Sequence, residues 1–339
     1  MALNASSLVL THPHYMMPEL IHQAGQQTGA FNLLPDGDIE VRLGESDLYA
    51  YAKTVGVRHR VKAGTSPSKM LPGVDVYTGL ISTPSYLIQC QTNYNHHDLA
   101  AAGNWGIPLD EAYRLGARQG FGQALRDALL YGFNPANSEG IVNAPGATWV
   151  NLPADTGGNT TIRTYDQGQL AVWFLQQITN LVVRMYQLGL GGDLEILASQ
   201  QVLGAIGLYR VVQLTSYQRE GAGSATIGQM IENLAKTHNI NVSFHADDTL
   251  STYASGGETI IICQPEIKVP SGSVSFATND FQKLRPGQNK TLTMLADMAA
   301  PREIKAPLPD GGTNTIYEMR STPGWVLRGE AITIINAPF

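Results

Sequence analysis

Residues 53–62 read Lys-Thr-Val-Gly-Val-Arg-His-Arg-Val-Lys. Val55, Val57, His59 and Val61 alternate with Gly56, Arg58, Arg60 and Lys62. Period two places the valines on one face of a strand and the cations on the other. The turn-rich stretch from Gly64 to Gly73 follows. A second β-like run covers Val74 to Ile81 and resumes, after Thr83-Pro84, at Tyr86 to Thr92. Together these predict a long two-stranded hairpin. Between residues 53 and 69 stand Lys53, Arg58, Arg60, Lys62 and Lys69, and no acid. A lone two-stranded ribbon is marginal in water. A long one implies packing onto another surface, such as another subunit.

Upstream, residues 1–50 carry little periodicity. Pro13, Pro18, Gly25, Gly29, Pro35 and Gly37 punctuate them, and the pattern leaves room for one short helix around Pro18 to Ala24. The acids Glu19, Asp36, Asp38, Glu40, Glu45 and Asp47 face one base, Arg42. Such an arm is either disordered or laid on something else. Its sign is opposite to that of the ribbon, so the two are expected to meet across neighbouring chains, where complementary charge fixes register.

Downstream, residues 108–131 predict a helix, with Pro108 in the first turn and Gly132 at the stop. Leu109, Ala112, Tyr113, Gly116, Gly120, Ala124 and Ala128 fall on one side. Glycine in a helix costs about 1 kcal/mol against alanine. Gly116, Gly120 and Gly122 therefore imply close approach of another backbone. A second helix is expected from Thr164 to Leu188, with Thr164 and Gln167 as a capping box and Leu170, Phe174, Ile178, Leu181, Met185 and Leu188 as its buried stripe. Residues 190–265 alternate strand and helix and read as a compact α/β unit. They hold a strand at Asp193 to Ala198, a helix capped by Ser199, a helix at 226–237, and strands at Ile240 to His245 and Thr259 to Cys263. Short strands close the chain at Glu266 to Val269, Arg302 to Lys305, Thr315 to Met319, Trp325 to Leu327 and Ala331 to Ile335.

The 339 residues are 43% hydrophobic but only 15% charged, with a net charge of -6. That hydrophobic share excludes intrinsic disorder. The acidic balance argues against a dense phosphate-neutralising patch. No apolar run reaches the length of a membrane span. No basic region precedes an apolar block near the start, so no secretory signal is expected. Cys90 and Cys263 make neither a disulfide framework nor a four-ligand zinc site. A surface rich in neutral polar groups is covered by protein at low desolvation cost, which fits an assembly subunit. It also fits a low-charge soluble enzyme.

Chemistry-bearing motifs are sparse. His96-His97-Asp98 reads as a solvated loop, since adjacent residues of an extended chain point opposite ways. Gly221 to Gly228 lacks the Lys-Ser/Thr of a phosphate loop. Asp247-Asp248 reads as a pair of solvated charges, and both cysteines as buried inert thiols. No constellation supports catalysis.

The helix at 108–131 is followed by Gly132-Phe-Asn-Pro-Ala-Asn-Ser-Glu-Gly-Ile-Val-Asn143, then by Asp193-Leu-Glu-Ile-Leu-Ala-Ser-Gln-Gln201 and Ile240-Asn-Val-Ser-Phe-His245. With the arm and the ribbon ahead of them, these resemble the major capsid proteins of tailed phages with the Hong Kong 97-type fold, in the branch related to encapsulin shells. The likeness covers essentially the whole chain and rests on element order and local motifs. It implies an α+β fold with an N-terminal arm (1–46), an extended β-hairpin loop (47–92), and a peripheral domain (93–189) holding a spine helix at 108–131. An α/β axial domain (190–265) and closing strands of the peripheral domain (266–339) complete it.

The resemblance implies a major capsid protein that self-assembles, in hundreds of copies arranged as pentamers and hexamers, into an icosahedral shell. That shell encloses the double-stranded DNA of a tailed bacteriophage, without sequence-specific contact. The implied location is the virion, after assembly in the bacterial host cytoplasm. The implied partners are portal and decoration proteins and either a separate scaffolding protein or none, with no membrane, cofactor, metal or catalytic residue. Lys53, Arg58, Arg60, Lys62 and Lys69 on the ribbon and Asp36, Asp38 and Glu40 on the arm are the candidate inter-subunit contacts. Some members of the family weld subunits through a Lys–Asn bond. Lys53, Lys62 and Lys69 lie in the matching loop, but no acceptor is identifiable and no crosslink is expected. An encapsulin-like compartment and a cytosolic α/β enzyme with an unrecognised site are the alternatives.

Overall fold

The computed structural model describes residues 28–59, 74–104, 108–187, 192–208, 240–252, 257–267, 290–309 and 312–339, with short pieces at 210–211, 225–226, 229 and 231–232. Arg60, Lys62, Lys69, the stretch Pro18 to Ala24 and most of the helix expected at 226–237 lie outside the described residues. In chain order, the first half holds β1 (Glu40–Val41), β2 (Tyr49–His59), β3 (Val74–Pro84), β4 (Tyr86–Tyr94), α1 (His96–Asn104), α2 (Leu109–Leu130), β5 (Thr148–Asn151) and α3 (Gln167–Gln187). The second half begins with β6 (Leu194–Ala198), α4 (Gln200–Leu208), the small ribbon of β7 (Arg210–Val211) and β8 (Ala225–Thr226), β9 (Val242–Ala246) and β10 (Glu258–Cys263). It closes with β11 (Leu292–Thr293), β12 (Leu295–Ala296), β13 (Arg302–Pro307), β14 (Thr313–Ser321), β15 (Trp325–Val326) and β16 (Ile332–Ala337).

One five-stranded sheet has the order β5-β16-β10-β6-β9. Its middle strand β10 reads Glu-Thr-Ile-Ile-Ile-Cys and is buried throughout, because both faces of the sheet are covered. Ile260 and Ile262 join a core with the α3 stripe Leu170, Phe174, Ile178, Leu181 and Met185. Ile261 and Cys263 face the opposite core, with Leu125, Ala128 and Leu129 of α2 and Ala30 and Leu33 of the arm. Full burial of each isoleucine contributes about 1.5–3 kcal/mol. β10 pairs antiparallel with β16, Ile261 opposite Ile334, and with β6, Ile262 opposite Ile196. Residues 266–339 therefore do not close one body as a block. β13 and β14 serve the other sheet, and β16 inserts beside β10, where its apolar alternation finds two core faces.

The other large sheet is built on β14, flanked by β13 on one side and β4 on the other, with β12 and β1 extending it. The amino-terminal half of α2 is pinned to it by charge. Arg114 Nε lies 2.7 Å from Glu303, and Lys305 Nζ lies 3.2 Å from Asp110. The Tyr94 hydroxyl donates to Asp110 at 3.1 Å, and its ring stacks on Tyr113 with centroids 5.8 Å apart. The buried stripe of α2 is Ala117, Phe121, Leu125 and Ala128. Ala112, Gly116 and Gly120 face outward instead, and a Cβ built on Gly116, Gly120 or Gly122 would meet nothing within 4 Å. Small side chains have little area to bury, so Phe121 and Leu125 decide which way the helix turns.

Two caps differ from expectation. Asp166, not Thr164, opens α3, its Oδ1 accepting from the Gln169 amide at 2.9 Å. His96 and His97 sit in the first turn of α1, not in a loop, because Asn95 and Asp98 cap it reciprocally (2.9 and 3.1 Å).

Candidate assembly surface

The ribbon is shorter than the sequence implies. β2 and β3 pair over their full length, from Tyr49 opposite Pro84 to His59 opposite Val74. At Ser85 the chain leaves the ribbon, and β4 pairs with β14 along nine residues. Residues 86–92 thus belong to the body. The ribbon's root is fastened there: the Ser85 amide donates to Leu48 O at 2.9 Å, the Ser85 hydroxyl to Asp47 O, and Arg320 Nη1 to the Ser85 hydroxyl at 3.2 Å.

The two faces of this root differ. Ala50 and Ala52 turn inward with Ile81 onto Leu43 and Trp325. Tyr49, Tyr51 and Leu80 turn outward and are 55%, 61% and 62% exposed. Lys53 shares this outward face, in register with Leu80, and is exposed. Arg58 has the opposite parity and stands in register with Asp75. The alternation of Tyr49 and Tyr51 with Ala50 and Ala52 marks the outward face in the sequence, and it was outshone there by the cations.

The arm is not a free strap over its described part. Thr28 forms an antiparallel bridge to Asp247, and the Gly29 amide donates to Ala246 O at 2.8 Å. Ala30, Leu33 and Leu34 are buried, and β1 pairs in parallel with β12. Asp36 and Glu40 reach Lys290 of the same chain at 2.9 and 2.5 Å, and Glu45 reaches Arg302 at 2.5 Å. The acids expected to wait for a neighbour's cations are largely met at home. Asp38 stays exposed, accepting from the Ile39 amide at 2.7 Å. Asp247 is not solvated either: it is fully buried and accepts from the Thr28 hydroxyl (2.7 Å), the Thr249 amide (3.0 Å) and the Thr249 hydroxyl (2.5 Å).

The link after α2 is a tight knot. Gly132 and Gly140 adopt φ of 76° and 80°, and a Cβ on Gly140 would lie 2.4 Å from Gly132 N. The Ile141 and Val142 amides donate to the α2 carbonyls of Leu129 and Leu130 at 3.0 Å each. Buried Glu139 accepts from the Tyr86 hydroxyl (2.7 Å) and the Asn134 amide (2.8 Å). Burial and this carboxylate push the Tyr86 phenol up to about 12. The knot therefore joins α2 to the first residue of β4, at the ribbon's exit. Cys90 is half-buried and Cys263 fully buried, and burial raises both thiols.

No family model matches the sequence, and no curated protein matches it either. Solved structures do. The capsid of the Myoviridae phage XM1 superposes with a TM-score of 0.68 at 8% identity, over 99% of each chain. The capsid of the cyanophage P-SCSP1u gives 0.56 at 12% identity, over 99% of this chain and 95% of that one. The capsid of an empty GTA particle gives 0.52 at 12% identity, over all of both. The chain has the α+β fold of these phage capsid subunits along its whole length.

Proposed function

We propose that the chain is a shell subunit: the major capsid protein of a tailed bacteriophage, assembled in the host cytoplasm into a closed icosahedral particle around double-stranded DNA. The observation that carries this is the full-length likeness to capsid subunits, together with a ribbon whose Tyr49, Tyr51 and Leu80 are left open to water. Exposed aromatic and aliphatic groups on an arm of a fold are the usual mark of a protein interface. Heterologous contacts close a ring or shell when their rotations return to the start. Repeated weak contacts let misplaced subunits leave before closure. The subunit is not read as an enzyme.

On this reading the ribbon is the extended loop, α2 is the spine helix of the peripheral domain, and residues 190–265, with β6, α4, β9 and β10, are the axial domain. Lys53, Arg58, Arg60, Lys62 and Lys69 meet acids of a neighbour, and exposed Asp38 is the arm's contribution. Portal, scaffolding and decoration proteins are further partners of such a shell.

The test is the purified full-length protein under negative stain and analytical ultracentrifugation. Closed particles are expected, and a solitary compact monomer at all concentrations sinks the proposal. The joint variant Arg58→Glu, Arg60→Glu, Lys62→Glu should stay folded by circular dichroism and lose particles. Normal particles from it would remove the charge contacts from the account. In particles from infected cells, the enclosed mass should be nucleic acid.

A further inference from the structure

An open cleft of about 520 Å³ lies where the arm, α2 and the segment after β12 meet. Phe31, Ile39 and Val41 line it from the arm, Phe121 and Leu125 from α2, and Met298 from the third side. Asp38 and Arg118 are the charged groups of this lining. Both are exposed, and neither makes an ion pair among the described residues. The cleft is thus an apolar trough with an uncommitted cation at its edge.

The occupant is indicated by what enters beside it. Residues 1–27 join the described chain at Thr28, three residues before Phe31. Read backwards from Thr28, the first pair of large aliphatic residues is Leu20-Ile21. Glu19 directly precedes it and is the one charged side chain among residues 1–27. Its negative charge is complementary to the positive charge of Arg118. Ile21 and Phe31 are ten residues apart, and an extended chain spans about 3.3–3.6 Å per residue. The reach is ample even when part of that stretch is helical at about 1.5 Å per residue.

We propose that this cleft receives Leu20 and Ile21 of the same chain, with the Glu19 carboxylate on the Arg118 guanidinium. The contact belongs to the single subunit and stands whether or not shells form. It extends the arm's anchorage from Thr28 back along α2.

The test is a cysteine pair in the full-length chain, Ile21→Cys with Gly122→Cys. Gly122 lines the cleft, and a Cβ there meets nothing within 4 Å, so the cysteine is accommodated. After mild oxidation, peptide mass spectrometry and a non-reducing gel should find the 21–122 disulfide within one chain in most molecules. Each single-cysteine variant controls for pairing with Cys90 or Cys263. A disulfide joining two chains would overturn the proposal by assigning the segment to a second copy. Its absence in a pair that keeps the wild-type circular dichroism would overturn it outright. Adding Glu19→Arg should lower the yield several-fold, and adding Arg118→Glu to that should restore it. A yield indifferent to both changes excludes the Glu19–Arg118 pairing.

Discussion

Asp247 is a carboxylate that water does not reach, held by three donors, one of which comes from 219 residues upstream. Asp247→Ala removes the shared acceptor of the half-buried Thr249 amide and hydroxyl and of the exposed Thr28 hydroxyl. An unsatisfied buried group costs about 1–3 kcal/mol, so the midpoint of urea unfolding of the unassembled subunit should fall accordingly. Asp247→Asn should fall less, because one acceptor oxygen remains. Lys290 behaves differently. Burial presses its pKa down, but the hydrogen bonds to Glu40 and Asp36 more than reverse this, and the group lies above the ordinary lysine value. A raised folded pKa gives stability that is complete below the unfolded value, about 10.4, and is lost as pH rises through the folded one. The stability gap between wild type and Lys290→Met should therefore be constant from pH 7 to 9 and close at higher pH. Thermal melts at stepped pH read this directly. Neither residue's role was legible in the sequence, since both depend on an arm that the chain brings back over some two hundred positions.

Elements were legible where local periodicity and burial agree. The α3 stripe and the apolar run of β10 follow from sequence because large aliphatic residues dominate those patterns. The sequence groups Ala112, Gly116 and Gly120 on one side of α2 but does not say that this side faces outward, because alanine and glycine carry too little area to specify a side. The strand after Ser85 was assigned to the ribbon because β4 has the same alternation whichever partner it takes, and only β14 decides. The knot after α2 was visible as a glycine-bounded motif, but its buried Glu139 was not. Gly140 has no room for a methyl group and adopts φ of 80°. Gly140→Ala should destabilise the subunit beyond the roughly 1 kcal/mol of an ordinary left-handed alanine, with much of the protein lost to aggregates during expression. Glu139→Gln keeps the shape and a donor-acceptor end, and should cost less than Glu139→Ala in the same melt.

For the whole molecule, the proposed shell role predicts that stability and association separate. Tyr49→Ser with Tyr51→Ser changes two side chains that contribute little to the subunit's own core. The melting temperature of the monomer should hold within a degree or two, while the protein concentration needed for particles rises at least tenfold, equal to about 1.4 kcal/mol per contact set. Light scattering across a dilution series reads that threshold. A different kind of consequence follows from β16, which fills the place between β5 and β10 although it is made long after both. At about 5–20 residues per second, roughly 4–14 s separate synthesis of the Ile260-Ile-Ile262 run from that of Ile332. During that interval the apolar edge of β10 that β16 will cover is open. Holding chaperones of the translating cell should engage it there, and pulse proteolysis of stalled ribosome complexes should find the sheet protected only once residue 337 has emerged.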